Sequence, residues 1–132
     1  MSGETSLNRL LTNMSPTLRD GYYVFCTSKD ADYGDFTETK PFATIKEAEG
    51  LTLVLLKEVA DQTGLKYDST LRCITLNVHS SLEAVGLTAA VSTVLAENQI
   101  SANMIAGFFH DHIFVPSESA NNALGLLLKL SE

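Results

Sequence analysis

Apolar residues recur at helical spacing at Leu7, Leu10, Leu11 and Met14, which predicts a short amphipathic helix that stops before Pro16. Gly21 to Ser28 is rich in aromatic and β-branched side chains and reads as a strand. The polar stretch from Lys29 to Lys40 reads as a loop. Two further strands are expected at Phe42–Ile45 and Leu51–Leu56, joined by a turn at Glu47–Gly50 where glycine can take positive φ. Lys57 to Thr63 is then a short helix, with Gly64 placed to end it.

Beyond residue 70 the pattern is cleaner. Cys73 to His79 alternates, with Ile74, Leu76 and Val78 on one face and Thr75, Asn77 and His79 on the other, which predicts a half-buried strand. Ser80-Ser-Leu-Glu83 has the form of a capping box, so a helix is expected from about Leu82 to Glu97. Leu87, Val91, Val94 and Leu95 would form its core stripe, while Gly86, Ala89, Ala90 and Thr93 leave the other face small and uncharged. Ala102–Phe109 and His112–Val115 are expected to pair as a hairpin ended by Pro116. Ser117 stands where an N-cap would, and Ala120, Ala123, Leu124, Leu127 and Leu130 would bury a last helix. Strand, helix, strand, strand, helix is a ferredoxin-like β-α-β-β-α-β unit without its final strand. The expected fold class is therefore α+β: two ferredoxin-like halves, residues 1–66 and 67–132, with mainly antiparallel sheets and a strand of the first half available to complete the second.

Charge narrows the partners. The formal net charge is −7 over 132 residues, with no cluster of Lys and Arg, so phosphate backbones are repelled and nucleic acid is not an expected partner. Residues 1–66 carry ten acids and seven bases, whereas residues 67–132 carry six and two. A second half with so little polar face suggests cover by the first half or by another copy, hence a homodimer or higher homo-oligomer. Uncharged stretches such as Ala84–Ala96 are too short and too broken for a membrane span, and residues 1–6 do not have the form of a signal peptide. Cys26 and Cys73 each lie in a strand-like run and form neither a disulfide framework nor a metal pair. A cytoplasmic location is expected, with no membrane partner and no cofactor.

The chemistry of a binding site is concentrated at the turn from Ser80 to Gly86. A helix N-terminus presents free N–H groups and about half a positive charge, which attract a carboxylate. Two serine hydroxyls and a glycine stand beside it. An ammonium group on the same ligand would need an acceptor, which Asn103 or Asp111 on the hairpin could supply. The same residues admit a simpler reading, in which Ser80 and Glu83 only cap the helix and Gly86 packs against a strand.

Val78-His-Ser-Ser-Leu-Glu-Ala-Val-Gly86, Gln99-Ile-Ser-Ala-Asn103-Met-Ile, Phe109-His-Asp-His-Ile-Phe-Val-Pro116 and Glu49-Gly-Leu-Thr-Leu-Val54 together resemble ACT domains. The resemblance is to the regulatory ACT pair of aspartokinases, to the tandem-ACT arginine sensors of the TOR pathway and to small stand-alone bacterial tandem-ACT proteins, and it spans roughly residues 15–130. It implies an ACT-type fold and a non-catalytic regulatory module that binds an amino acid or another small metabolite. It places the ligand at Ser80, Ser81, Leu82, Val85, Gly86 and Leu87, with Asn103 and Ile105 facing it from the next strand and Asp111 as an acidic contact. Unlike the aspartokinases, the chain carries no catalytic domain.

Two alternatives stay open: an interaction or scaffold module whose turn is filled by Leu82, Leu87 or Phe109, and a metal-binding protein or enzyme using His79, His110 and His112. Asp30-Ala-Asp-Tyr-Gly-Asp35 opens like a calcium loop, but Asp35 and Pro41 stand where glycine and a bidentate glutamate are needed. No nucleophile–base pair, P-loop or dinucleotide fingerprint is present, so an enzyme is not expected.

Overall fold

The computed structural model describes residues 3–132, which divide into two compact units: Gly21–Leu71, and residues up to Asp20 together with Arg72–Glu132. Compactness thus divides the chain differently from the linear split at residue 66, because residues 3–20 fold with the C-terminal part.

In the Gly21–Leu71 unit, β2 (Tyr23–Ser28) pairs antiparallel with β4 (Gly50–Leu56), and β4 pairs with β3 (Ala43–Glu47). Val24, Cys26, Leu51, Leu53 and Leu55 point into one core with Ala60 of α2 (Lys57–Thr63). Each such valine or leucine taken from water contributes roughly 1.5–3 kcal/mol. Gly64 ends α2 at φ 76°, and Leu65 N–H donates to Ala60 O at 3.0 Å while Gly64 N–H reaches Asp61 O. These are the two bonds of a Schellman motif, as the glycine predicted. The polar stretch after β2 contains no α-helix, only a 3-10 turn at Thr37–Thr39 flanked by Phe36 and Lys40 at positive φ.

The other unit holds β1 (Pro16–Leu18), β5 (Leu71–Leu76, shared at its first residue with the unit just described), β6 (Asn103–Ala106) and β7 (Asp111–Pro116). Its strand order is β1-β5-β7-β6. Helices α1 (Leu7–Thr12), α3 (Leu87–Glu97) and α4 (Ala120–Leu130) complete it. Numbered from β5, this is the ferredoxin-like order with the closing strand supplied from ahead of the unit. The strand completing the second sheet is β1, antiparallel to β5 in the register Pro16↔Leu76, Thr17↔Thr75, Leu18↔Ile74. Asn77 fixes it by donating from Nδ2 to Ser15 O (2.8 Å) and Thr17 Oγ1 (2.7 Å). Three residues opening on proline give no periodicity to read, and proline is tolerated at a strand start.

One core joins Leu10 and Met14, Ile74 and Leu76, Leu87, Val91 and Leu95, Ile113 and Val115, and Ala120, Ala123 and Leu127. Three expectations need correction. Cys73 to Leu76 is buried on both faces, Thr75 included, so β5 is an interior strand and not a half-exposed one; β1 and β7 flank it. The α3 helix starts at Leu87 instead of Leu82, because Gly86 sits at φ 106°, outside helical space. At its other end Gln99 takes φ 61°, so that Ile100 N–H can reach Leu95 O at 2.9 Å. Finally, Ser117 begins a 3-10 turn, and no side chain caps α4.

Candidate functional site

The turn from β5 to α3 is built by a distant segment. Glu4 forms a parallel bridge with Ser80: Glu4 N–H donates to His79 O (2.8 Å) and Ser81 N–H donates to Glu4 O (3.0 Å). The expected capping box is therefore not formed. Ser81 Oγ instead accepts from Glu83 N–H at 3.1 Å, and Ala84 N–H closes onto Ser81 O, so residues 81–84 make a turn of their own. Leu82 and Val85 project outward from it, 68% and 83% exposed, while Leu87 is buried in the core. Gly86 is the N-cap residue of α3, and no side chain bonds to that helix end.

The other expected residues lie on the β6–β7 hairpin. Asn103 pairs in register with Phe114, Ile105 with His112, and Ala106 with Asp111. Asn103 Nδ2 donates to Phe114 O at 3.4 Å, leaving its Oδ1 as an acceptor. Asp111 is half-buried, and burial raises its carboxyl above the usual carboxylate range, with His110 acting in the opposite sense. Asn103, Ile105 and Asp111 thus share one ribbon, Asn103 and Ile105 on its His112 face and Asp111 on the opposite face, and Ser80 to Leu87 share one turn. The two are tied where His110 Nδ1 meets Val78 O at 3.2 Å and where the His79 ring lies 5.2 Å from that of Phe109.

The three histidines do not converge on one point. His110 bonds to Val78 O, whereas His112 Nδ1 lies 2.9 Å from Thr75 Oγ1 on the neighbouring strand. Among the described residues no group of three His, Cys, Asp or Glu side chains could hold a metal ion. His110 belongs to the hairpin turn and only His112 to β7. Burial, then the nearby Arg19 and His110 charges, hold the His112 pKa below the ordinary histidine value. Its neutral form is the folded one, so acid favours unfolding. Stability is expected to fall as pH drops below about 6.5 towards the depressed value. His112→Gln should flatten that slope in urea unfolding followed between pH 7.5 and 5. Both thiols are buried, and burial raises both: Cys73 to about 11, and Cys26 upward, with Asp61 adding to it.

Sequence reasoning passed over two features. One is the packing of residues 3–7 on the turn from β5 to α3. The other is the corresponding place in the Gly21–Leu71 unit, after β2, where an open depression of ≈ 680 Å³ is lined by Ser28, Lys29, Asp30, Asp35, Phe36 and Glu38. Its loop is fastened by Lys46 Nζ, which donates to Ala31 O at 2.9 Å and Asp32 Oδ1 at 3.0 Å. The carboxylates Asp32 and Asp35 are used within the loop: Asp35 Oδ2 accepts from Asp32 N–H at 2.8 Å.

Residues 2–72 match one ACT domain model and residues 68–129 match another. A crystal structure of a Vibrio cholerae protein of unknown function, described as a possible transport protein, is 52% identical; it covers 97% of this chain and 98% of its own, with a TM-score of 0.87. Escherichia coli aspartokinase III in complex with aspartate and ADP is 12% identical, the match covering 90% of this chain and 33% of that one at a TM-score of 0.68. The ligand-free regulatory subunit of Thermus thermophilus aspartate kinase is 9% identical over 92% and 99% of the two chains, at a TM-score of 0.61. The last two share the fold. No curated protein matches the chain.

Proposed function

The chain belongs to the ACT domain family, and we propose that it is a non-catalytic regulatory module that binds a small molecule at the turn from β5 to α3. ACT domains are regulatory, and their regulatory use in the aspartokinases supports the reading. The observation that carries it is the state of the α3 N-terminus: Gly86 occupies the N-cap, and among the described residues no side chain hydrogen-bonds to that helix end. A carboxylate is the group such an end attracts. On the hairpin, the Asp111 carboxyl on one face or Asn103 Oδ1 on the other supplies an acceptor for an ammonium. An amino acid carries both groups. Leu82 and Val85 add exposed apolar surface for its side chain.

Ligand screening tests this directly. Thermal unfolding is followed with each of the twenty amino acids in turn, aspartate first because the aspartokinase III relative was crystallised with it. A micromolar ligand at a hundredfold excess over its Kd adds about 2.7 kcal/mol, a rise of several degrees in Tm for a protein of this size. A profile without a single shift would end the amino-acid reading. The exposed rings of Phe108 and Phe109, 61% and 57% accessible, together with Leu82 and Val85, support a homo-oligomer in which a second copy covers this surface. Light scattering during size exclusion gives its mass, and a monomer at micromolar concentration would refute it.

A further inference from the structure

The segment ahead of α1 lies across the same turn that would receive the ligand. Gly3 is pressed so close that a Cβ there would stand 2.5 Å from His79 O and 2.7 Å from Ser81 N, both backbone atoms. One residue later, Glu4 exchanges two backbone hydrogen bonds with His79 and Ser81. Leu7 then covers Gly86: a Cβ on Gly86 would lie 3.2 Å from one Leu7 methyl and 3.5 Å from the other. Two of the features that suit the turn to an anionic guest are thereby occupied by the chain itself. The Ser81 N–H is already donated, and the open flank of Gly86 is under a leucine side chain.

The hold is local and shallow. The residues between Gly3 and Leu7 are exposed or half-exposed, and Leu7 is itself 36% accessible. Glu4 turns its carboxylate back on its own backbone, accepting from Thr5 N–H (3.1 Å) and Ser6 N–H (3.0 Å), so it adds no charge contact to α3. Firm anchorage begins only at Leu10 and Met14, which are fully buried in the core. Residues 3–6 can therefore lift from the turn, with Leu7 fraying from the first turn of α1, while Leu10 and Met14 keep the rest of that helix in place.

We infer that residues 3–7 are a strap that competes with the ligand for the turn from β5 to α3, so that ligand binding and strap release are one equilibrium. This rests on the proposed site. A ligand that needs the strap lifted binds with an apparent Kd raised by the reciprocal of the lifted fraction, and a variant with the strap already off escapes that penalty. A signal that captured the released strap would act as an allosteric activator of binding.

Gly3→Val is the test, because its side chain cannot fit against the 79–81 backbone, whereas no residue of the core or of the proposed ligand site is altered. Amide exchange at Ser81 reports the strap, and thermal-shift titration with the twenty amino acids reports the site. The expected result is Ser81 exchange at least tenfold faster in Gly3→Val, with an amino acid that binds at least tenfold tighter than to the parent chain. Faster exchange with unchanged affinity for a ligand that does bind would overturn the strap while leaving the site in place. Unchanged exchange would overturn it as well. No binding to either protein would take the site reading down, and the strap with it. Leu7→Ala, which uncovers Gly86 without touching the Glu4 bridge, serves as a second variant should Gly3→Val fail to fold; unchanged affinity there counts against the strap.

Discussion

Leu10→Ala is expected to lower the stability of the unit containing α3 and α4 by about 3 kcal/mol, the usual loss when a fully buried leucine is truncated and its cavity does not collapse. Leu10 has no exposed surface and belongs to one core with Ile74, Val91 and Leu127. The linear division of the chain would assign residue 10 to the other half, so this variant discriminates between the two. The chain lacks tryptophan, and its four tyrosines, Tyr22, Tyr23, Tyr33 and Tyr67, all lie in Gly21–Leu71. Urea unfolding followed by tyrosine fluorescence therefore reads that unit, while far-UV circular dichroism is dominated by α1, α3 and α4. The loss should appear in the dichroism transition. An equal loss confined to the tyrosine signal would refute the assignment of α1.

Gly50→Ala should give the converse pattern, a loss of about 2–3 kcal/mol seen by the tyrosines. Gly50 opens β4 opposite Glu47 at φ 153°, a conformation that side chains rarely adopt. The added methyl would also lie 2.8 Å from Ser28 O and 3.0 Å from Lys29 Cα, and backbone at both places cannot swing aside. Lengthening the β3–β4 turn by one residue in the same variant would not recover the loss, because the overlap is with the end of β2. A stability within 0.5 kcal/mol of the parent, the usual scatter for a surface change, would show that the β2 end yields.

What could be read from the residues follows a physical divide. Elements whose signal is local came through: the Tyr23–Ser28 strand, the β3–β4 hairpin, α2 with its Gly64 stop, and the apolar stripe of α4 are each set by periodicity or by one turn residue. The fold class followed from their order, and the ACT resemblance from the residues around Gly86 and Asn103. Errors arose where a remote segment decides the local geometry. Ser80-Ser-Leu-Glu83 has the letters of a capping box, but the Glu4 carbonyl takes the Ser81 N–H and Gly86 cannot be helical, so the helix waits until Leu87. β5 reads as alternating because threonine marks the polar face in isolation; β7 then buries Thr75 and gives its hydroxyl a partner in His112. Of the proposed site, the turn and the hairpin are visible in the residues as separate segments, whereas the packing of residues 3–7 on the turn joins residues more than seventy apart in sequence, invisible to any local pattern.

That β1 precedes its sheet partner has a consequence for how the molecule is made. Arg19 N–H donates to Cys73 O at 2.9 Å and Arg72 reaches Arg19 O at 3.0 Å, so the chain departs at Asp20 and comes back to the place it left. Gly21–Leu71 is thus an excursion from the other unit, contiguous and ready to collapse as soon as it leaves the ribosome. The strand synthesised before it must stay unpaired until β5 emerges, and its core until α4 is complete. Folding therefore runs from the inside of this stretch outward: β1 is translated before Gly21–Leu71 and settles after it.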